Sequence, residues 1–352
     1  MRSRTKLVVT LLALALGAVA AEAALRIAHV GPIPQPRETG ELLHKSADPR
    51  LRFENIPGAS SRTQFLDRRG AVVREVVTRV NAAGLRGAMV APKKPDGTLR
   101  IACLGDSQTF GHRVADDESW PAALEASLGA RLPGRRVEVL NFGVGGYDAE
   151  QEVALLESRA LDYEPDLVLL GFFVNDTEVS EAVPEAPPTN LPKLVHLFSR
   201  DSSGPLHWMR ARSRIVDVAC DWEFHRLTRR LWMERSDALY SETFTGWSRA
   251  RAAILHAREI VEARGARFAV LLVPLLLRSG DERLSTRAYR TVSAFCSAHA
   301  IAHYDPEPLF SGRDLDELRV HPRDMHTSAE GNRIIAGGLA DWLTEHASLA
   351  PR

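Results

Sequence analysis

The chain has 352 residues, enough for one catalytic domain with additional segments. Its 45 lysines and arginines balance its 45 aspartates and glutamates, so no global charge marks it as a nucleic-acid-binding protein. The 3 cysteines are far apart and form no CxxC or Cys/His cluster, which argues against a disulfide framework or a zinc site.

The amino terminus has the pattern of an export signal. Basic residues precede an apolar run at residues 7–21, and the small-residue sequence Ala-Glu-Ala follows. At about 1.5 Å per residue the run covers about 22 Å, less than the ~30 Å hydrocarbon core, which favours a cleaved signal peptide. Apolar residues continue to Ala28, so the alternative is that the segment is retained as a membrane tether. We expect residues 1–28 to be a signal peptide or anchor, and the protein to be periplasmic, extracellular or tethered outside the cytoplasmic membrane.

Residues 29–97 are rich in proline, glycine and arginine and contain one β-like stretch at 72–80. This composition predicts an irregular, strand-containing lead-in rather than an independent domain.

A regular alternation of short apolar runs and helical patterns follows. The predicted strands are residues 99–104, 136–142, 166–171, 267–273 and 301–304. The predicted helices are residues 120–132, 149–161, 246–264, 285–299 and 328–346. The pattern predicts an α/β fold, a three-layer α/β/α sandwich with a central, mostly parallel five-stranded sheet over residues 98–348.

A long helical insertion at residues 177–245 interrupts the alternation, and insertions of this length commonly form lids or binding surfaces. It is basic and contains Trp208, Trp222 and Trp232. Such a surface could hold an anionic glycan or rest on anionic lipid. The favoured alternative is that the tryptophans pack onto their own domain while the arginines stay solvated.

Candidate catalytic residues follow the predicted strands. Ser107 follows the first strand in a glycine-containing turn, at the sheet edge where α/β proteins bind ligands, and its own N–H could stabilise an oxyanion. A glycine-rich loop at 141–148 and Asn175 follow the next two strands. Each could equally be a simple turn.

His326 stands directly before the last helix, beside Asp324. A neutral imidazole can accept a serine proton near pH 7, and a neighbouring carboxylate can fix its tautomer and stabilise the imidazolium.

Taken as a set, these residues resemble the SGNH (GDSL) hydrolases over about residues 99–346. The resemblance is carried by four blocks that occur in the same order, namely Gly105-Asp-Ser107, Gly146, Asn175 and His326. It implies a flavodoxin-like fold in which Ser107 is the nucleophile and His326 its base. It further implies that amides of Ser107, Gly146 and Asn175 form the oxyanion hole, without metal or cofactor.

The assignments of the oxyanion-hole glycine and of the acid–base pair have alternatives. Gly146 is preferred to Gly143 and Gly145 because it lies five residues beyond Asn141, the spacing expected in the family. The common family pattern is Asp-x-x-His, but arginine occupies that position here, so the acid assigned is Asp324, two residues before the histidine. The alternative acids are Asp314 and Asp316, and the alternative base is His321.

The expected function is that of a serine esterase acting through a Ser-His-Asp acyl-enzyme mechanism. Its substrates would be small or lipid esters, or acyl groups such as acetyl on cell-envelope carbohydrate. An O-acyltransferase of an exported glycan and an inactive envelope-binding module are the alternatives. No nucleic-acid partner is expected, and the sequence predicts no oligomeric state.

Overall fold

The computed structural model describes residues 2–31, 33–178, 191–198, 204–279, 282–283 and 286–346. Parts of the predicted insertion, the predicted helix start at 285 and the end of the predicted 98–348 domain lie outside these ranges.

The strands are β1 (Arg37–Thr39), β2 (Leu43–Lys45), β3 (Phe53–Asn55), β4 (Ser60–Leu66), β5 (Val72–Arg79), β6 (Leu99–Gly105), β7 (Val137–Asn141), β8 (Leu167–Phe172), β9 (Arg267–Leu272), β10 (Arg278–Ser279), β11 (Glu282–Arg283) and β12 (Ala302–Tyr304). The helices are α1 (Arg2–Ile27), α2 (Ser107–Phe110), α3 (Trp120–Arg131), α4 (Ala149–Ser158), α5 (Leu191–Phe198), α6 (Pro205–Arg212), α7 (Arg214–Leu239), α8 (Thr245–Ala263), α9 (Thr286–Ala298) and α10 (Ala329–Glu345). Short 3-10 helices occupy Ala160–Tyr163 and Glu307–Phe310.

The central sheet has five parallel strands in the order β12-β9-β8-β6-β7. Counted along the chain this is the order 2-1-3-4-5 of flavodoxin-like sheets, so the predicted fold class is confirmed. Each strand lies within one residue of its predicted bounds. The strand order reverses beside β6, and open α/β sheets bind ligands at the carboxyl ends of strands at such a point.

The core surrounds this sheet on both faces, because every residue of β6 and β8 is buried. Helix α3 packs with α10, and α4 packs with α8. Ile335, Leu339 and Leu343 form the buried face of α10, which holds the start of that helix against the domain.

The lead-in is built onto the same core. Strands β1, β4 and β5 form an antiparallel sheet, and β2 pairs with β3. Leu51 belongs to the main hydrophobic core. The buried Arg86 guanidinium donates to the carbonyls of Phe110, Gly111 and Val114 at 3.0, 2.5 and 2.6 Å. The lead-in therefore anchors the turn that carries Ser107.

In the insertion, the described residues form α5, α6 and α7. Trp208 is 56% exposed and Trp222 is 67% exposed. The interpretation that these tryptophans pack onto their own domain is therefore wrong for both, since each is more than half exposed. The side chain of Trp232 lies outside the described part of the chain.

Helix α1 is one continuous helix through the predicted apolar run and beyond it. Residues 6–27 are long and apolar enough to cross a membrane. At 1.5 Å per residue this span covers about 33 Å, more than the predicted 22 Å, because Glu22 does not end the helix.

Candidate active site

Ser107 stands at the start of α2, directly beyond the carboxyl end of β6. The Asp106 side chain caps this short helix by accepting from the N–H of Gln108 at 2.8 Å. Gly105 has φ of 151°, and a Cβ there would lie 2.0 Å from Thr109 Oγ1, so only glycine fits. The strand therefore turns sharply and leaves Ser107 partly exposed.

His326 lies on the loop before α10 and faces Ser107. Its Nε2 is 2.7 Å from Ser107 Oγ, and its Nδ1 is 2.5 Å from Asp324 Oδ1. Because a carboxylate only accepts hydrogen bonds, Nδ1 carries the proton and Nε2 is free to accept one from the serine. The structure thus brings Ser107, His326 and Asp324 into one hydrogen-bonded chain.

The carboxylate of Asp324 is held on both sides. Its Oδ1 also accepts the backbone N–H of His326 at 2.9 Å, and its Oδ2 lies 2.5 Å from Arg113 Nη1. Burial opposes ionisation, but the hydrogen bonds of His326 and the charges of His326 and Arg113 outweigh it and hold the pKa of Asp324 below its ordinary value. Asp324 therefore stays ionised beside the histidine.

The alternative acids and base have other partners. Asp316 forms an ion pair with Arg319, and Asp314 accepts from the backbone N–H of Asp316. His321 Nδ1 accepts from the backbone N–H of Arg323 at 3.1 Å. The residue that contacts His326 is Asp324, despite the shortened spacing.

Gln108 joins the serine turn to the histidine loop. Its Nε2 donates to Met325 O at 3.2 Å, and its Oε1 accepts from the N–H of Thr327 at 3.2 Å. The residue on each side of His326 is thus fixed to the residue after Ser107. Sequence reasoning missed Gln108 and Arg113, although both follow Ser107 closely in the chain.

The glycine-rich loop lies against the serine turn. Asn141 Oδ1 accepts from the N–H of Gly143 at 2.9 Å, and Asn141 Nδ2 donates to Thr109 O at 2.8 Å. A Cβ on Gly145 would lie 3.7 Å from Ser107 Cβ, whereas one on Gly146 would face Phe53. Both the preferred Gly146 and the alternative Gly145 line the cavity that contains Ser107. The other alternative, Gly143, does not line this cavity, and its N–H is donated to Asn141.

Asn175 reaches the site from the loop after β8. Its side chain hydrogen-bonds to Asp106, the residue before the serine. Its Oδ1 is buried without a hydrogen-bond partner among the described residues. The amide is therefore fixed at the carboxyl edge of the sheet by the same aspartate that caps α2.

Buried carboxyl groups stand behind this edge. Glu152 is fully buried, and neither of its carboxyl oxygens has a hydrogen-bond partner within the described ranges. Burial, together with the charges of Asp106 and Asp148, raises the pKa of Glu152 well above its ordinary value. Burial and the charge of Glu152 raise the pKa of Asp176 in the same way. These groups favour the protonated form.

A cavity of about 440 Å³ opens over Ser107 and His326. The residues that line it are Glu38, Gly40, Glu41, Leu42, Leu43, Asn55, Ser107, Phe110, His112, Gly145, Gly146 and His326. The His112 ring packs beside that of His326, with centroids 4.7 Å apart. Burial, then the charge of His326, lowers the pKa of His112 to about 4, so His112 is neutral near pH 7.

Comparisons of the sequence with known proteins identify a family and a curated relative. The profile of the GDSL-like Lipase/Acylhydrolase family matches residues 103–334. An arylesterase from Vibrio mimicus is 29% identical over 113 residues, which cover 32% of this chain and 54% of that protein. The match thus spans about half the length of this curated relative.

The solved structures that this chain matches include two bacterial proteins. A member of the lipolytic protein G-D-S-L family from Veillonella parvula is 13% identical, with a TM-score of 0.39 over 70% of this chain and 98% of that one. A catalytic mutant of an acetylxylan esterase from Geobacillus stearothermophilus is 16% identical, with a TM-score of 0.40 over 72% and 95%. Because the family profile covers most of the chain, the protein belongs to the GDSL-like lipase/acylhydrolase family, as the resemblance to the SGNH hydrolases implied.

Proposed function

We propose that the protein is a serine esterase that hydrolyses carboxylic esters through an acyl-enzyme. The observation that carries the proposal is the hydrogen-bonded chain of Ser107 Oγ, His326 and Asp324, with contacts of 2.7 and 2.5 Å. Nucleophile and base lie within the range expected for proton transfer, and the base is oriented by a third group. The family match supports ester-bond chemistry.

In the first step, Ser107 Oγ attacks the ester carbonyl carbon while its proton passes to His326 Nε2. The negative charge that develops on the carbonyl oxygen is met by the backbone N–H of Ser107, a glycine N–H from the 145–146 turn and the Asn175 amide. Asp324 stabilises the imidazolium that forms. The carbon–oxygen bond to the alcohol then breaks, and the alcohol leaves with the proton from His326.

In the second step, water attacks the acyl carbon and gives its proton to His326. The bond between the acyl carbon and Ser107 Oγ breaks, the serine recovers its proton, and a carboxylic acid is released. If a sugar hydroxyl took the place of water, the same acyl-enzyme would yield acyl transfer. Adding candidate glycans to the assay therefore distinguishes hydrolysis from transfer by the product formed.

The test is release of p-nitrophenol from p-nitrophenyl butyrate by wild-type protein, Ser107→Ala and His326→Ala. A matched control exists in Ser293, whose Oγ lies 2.7 Å from His303 Nε2, a second serine–histidine contact outside the cavity. We expect both site variants to lose turnover and Ser293→Ala to keep it. A folded Ser107→Ala protein with wild-type turnover would show that the proposal is wrong.

We also propose that α1 is retained as a membrane anchor on an exported protein. The support comes from Glu22, in the Ala-Glu-Ala sequence where a signal peptidase would cut. Its carboxylate accepts from the N–H groups of Arg214 and Ile215 at 2.8 and 3.0 Å, at the start of α7, and from Ser213 Oγ at 3.0 Å. Carboxylates stabilise helix amino termini, so Glu22 gives α1 a specific attachment to the insertion.

The anchor is tested by expressing the full chain in a bacterium and measuring intact mass in the carbonate-washed membrane and periplasmic fractions. We expect membrane-bound protein that retains residues 6–27. Soluble protein whose sequence begins near Ala24 would contradict the anchor and favour a signal peptide.

A further inference from the structure

One wall of the cavity at Ser107 comes from the lead-in, outside the span that the family profile matches. This lead-in wall consists of Glu38, Gly40, Glu41, Leu42 and Leu43. We propose that the lead-in wall binds an uncharged apolar group of the ester, larger than acetyl, and disfavours anionic substrates. The inference rests on the proposed esterase function and specifies its substrate class.

The lead-in wall is fixed relative to the catalytic loops. Leu43 pairs with Asn55 across the β2–β3 ladder, and Asn55 Nδ2 donates to Gly143 O at 3.1 Å. Tyr147, in the same glycine-rich loop, donates its hydroxyl to Phe53 O at 2.6 Å. These bonds join the hairpin to the loop beside Ser107, so the cavity has a preformed shape.

The size and lining of the cavity favour an apolar group. About 440 Å³ lies within the ~300–1,000 Å³ typical of small-molecule sites, well beyond the need of an acetyl group alone. Leu42 and Leu43 of the lead-in wall stand with Phe110 around this space. Burial of each additional methylene should therefore raise kcat/KM by roughly fourfold until the cavity is filled.

The charges at the cavity are mainly negative. Glu38 and Glu41 both line it, and Glu41 is exposed at its edge. Arg113, which contacts Glu38 at 3.4 Å, also forms an ion pair with Asp324 at 2.5 Å, and His112 is neutral near pH 7. The described residues that line the cavity include no lysine or arginine, so a substrate carboxylate would meet these like charges and anionic esters should react more slowly.

The experiment uses two ester series. The acyl series runs from p-nitrophenyl acetate to hexanoate, and the alcohol series runs from methyl to hexyl acetate, followed by acid release. Chain-length dependence in one series identifies whether the acyl or the alcohol group occupies the cavity. In Leu42→Ala/Leu43→Ala we expect the ratio of kcat/KM for the longest and shortest ester of that series to fall about tenfold. Val73→Ala, an exposed apolar residue of β5, is the control and should leave the ratio unchanged.

The charge arm compares p-nitrophenyl butyrate with p-nitrophenyl hemisuccinate. We expect wild-type protein to prefer the butyrate and Glu41→Gln to narrow the preference by about threefold to tenfold at low salt. A preference that is equal in wild type and Glu41→Gln would overturn the charge part of the inference.

Failure of the esterase proposal is distinguishable from failure of this inference. If turnover depends on Ser107 while Leu42→Ala/Leu43→Ala leaves the chain-length ratio unchanged, the role of the lead-in wall is refuted and the esterase proposal stays intact. If wild-type protein has no turnover, the lead-in wall is tested by calorimetry of p-nitrophenyl hexanoate binding to Ser107→Ala. Binding weakened about tenfold by the two leucine substitutions supports the wall without catalysis, and equal or absent binding refutes it.

Discussion

Asp324→Asn tests the assignment of the acid, because it keeps the size of the side chain and removes its charge. In the wild type the carboxylate accepts from His326 Nδ1 at 2.5 Å and from the backbone N–H of the same residue at 2.9 Å. An asparagine amide can donate to Nδ1, which would place the ring proton on Nε2 and leave no acceptor for Ser107. Arg113 would also lose the charge that it contacts at 2.5 Å and would disfavour the imidazolium.

The expected loss is about 10⁴-fold in kcat, equivalent to about 5 kcal/mol of transition-state stabilisation. The assay is turnover of p-nitrophenyl butyrate at pH 7.5, with circular dichroism to verify folding. Asp316→Asn is the matched control, since this acid pairs with Arg319 and should keep activity. A kcat for Asp324→Asn within tenfold of wild type would refute the assigned role.

Three further substitutions test other parts of the site. Asn175→Ala should lower kcat by about 10²–10³-fold through loss of one oxyanion donor, and a change confined to KM would contradict that role. His112→Gln should flatten the pH dependence of stability. His112 binds a proton near pH 6.5 in the unfolded chain but only near pH 4 in the folded protein, so acidification favours the unfolded state. Between pH 7.5 and pH 4 the free energy of unfolding, measured by urea titration, should fall by about 3 kcal/mol more in wild type than in the variant. The same fall in both proteins would contradict this prediction. Glu152→Gln should leave the free energy of unfolding unchanged at pH 4.5 and raise it by about 1–3 kcal/mol at pH 8. The raised pKa means that wild type loses stability as pH rises above 4.5, and a variant that is less stable at pH 8 would show that the ionised form is required.

The sheet could be predicted from the sequence because its strands are covered on both faces. Such strands appear as continuous apolar runs, and β6 and β8 are buried at every residue. The positions of Ser107 and Asn175 followed, since residues just beyond parallel strands meet at one edge of the sheet. In the lead-in, β1, β2 and β3 were missed because they have three residues each, too few for a periodic pattern.

The spacing of Asp324 and His326 could not be judged from the sequence. Asp324 reaches His326 because the loop turns so that its Oδ1 accepts both the ring and the backbone N–H of the histidine. Arg113 approaches the same carboxylate from 211 residues away in the chain. Contacts made by irregular loops over such separations leave no periodicity to read, and the lead-in wall was missed for the same reason.

The buried Arg86 limits how this protein can be recombined with its relatives. The guanidinium belongs to the amino-terminal segment, yet the three carbonyls that it satisfies lie in and after the turn that carries Ser107. A chimera joined at the start of the family-matched span would leave those carbonyls to whatever the donor protein supplies, at a cost of about 1–3 kcal/mol for each one left unsatisfied. Crossovers placed before β1 would keep the guanidinium with its acceptors, so the exchangeable unit is longer than the span that the family shares.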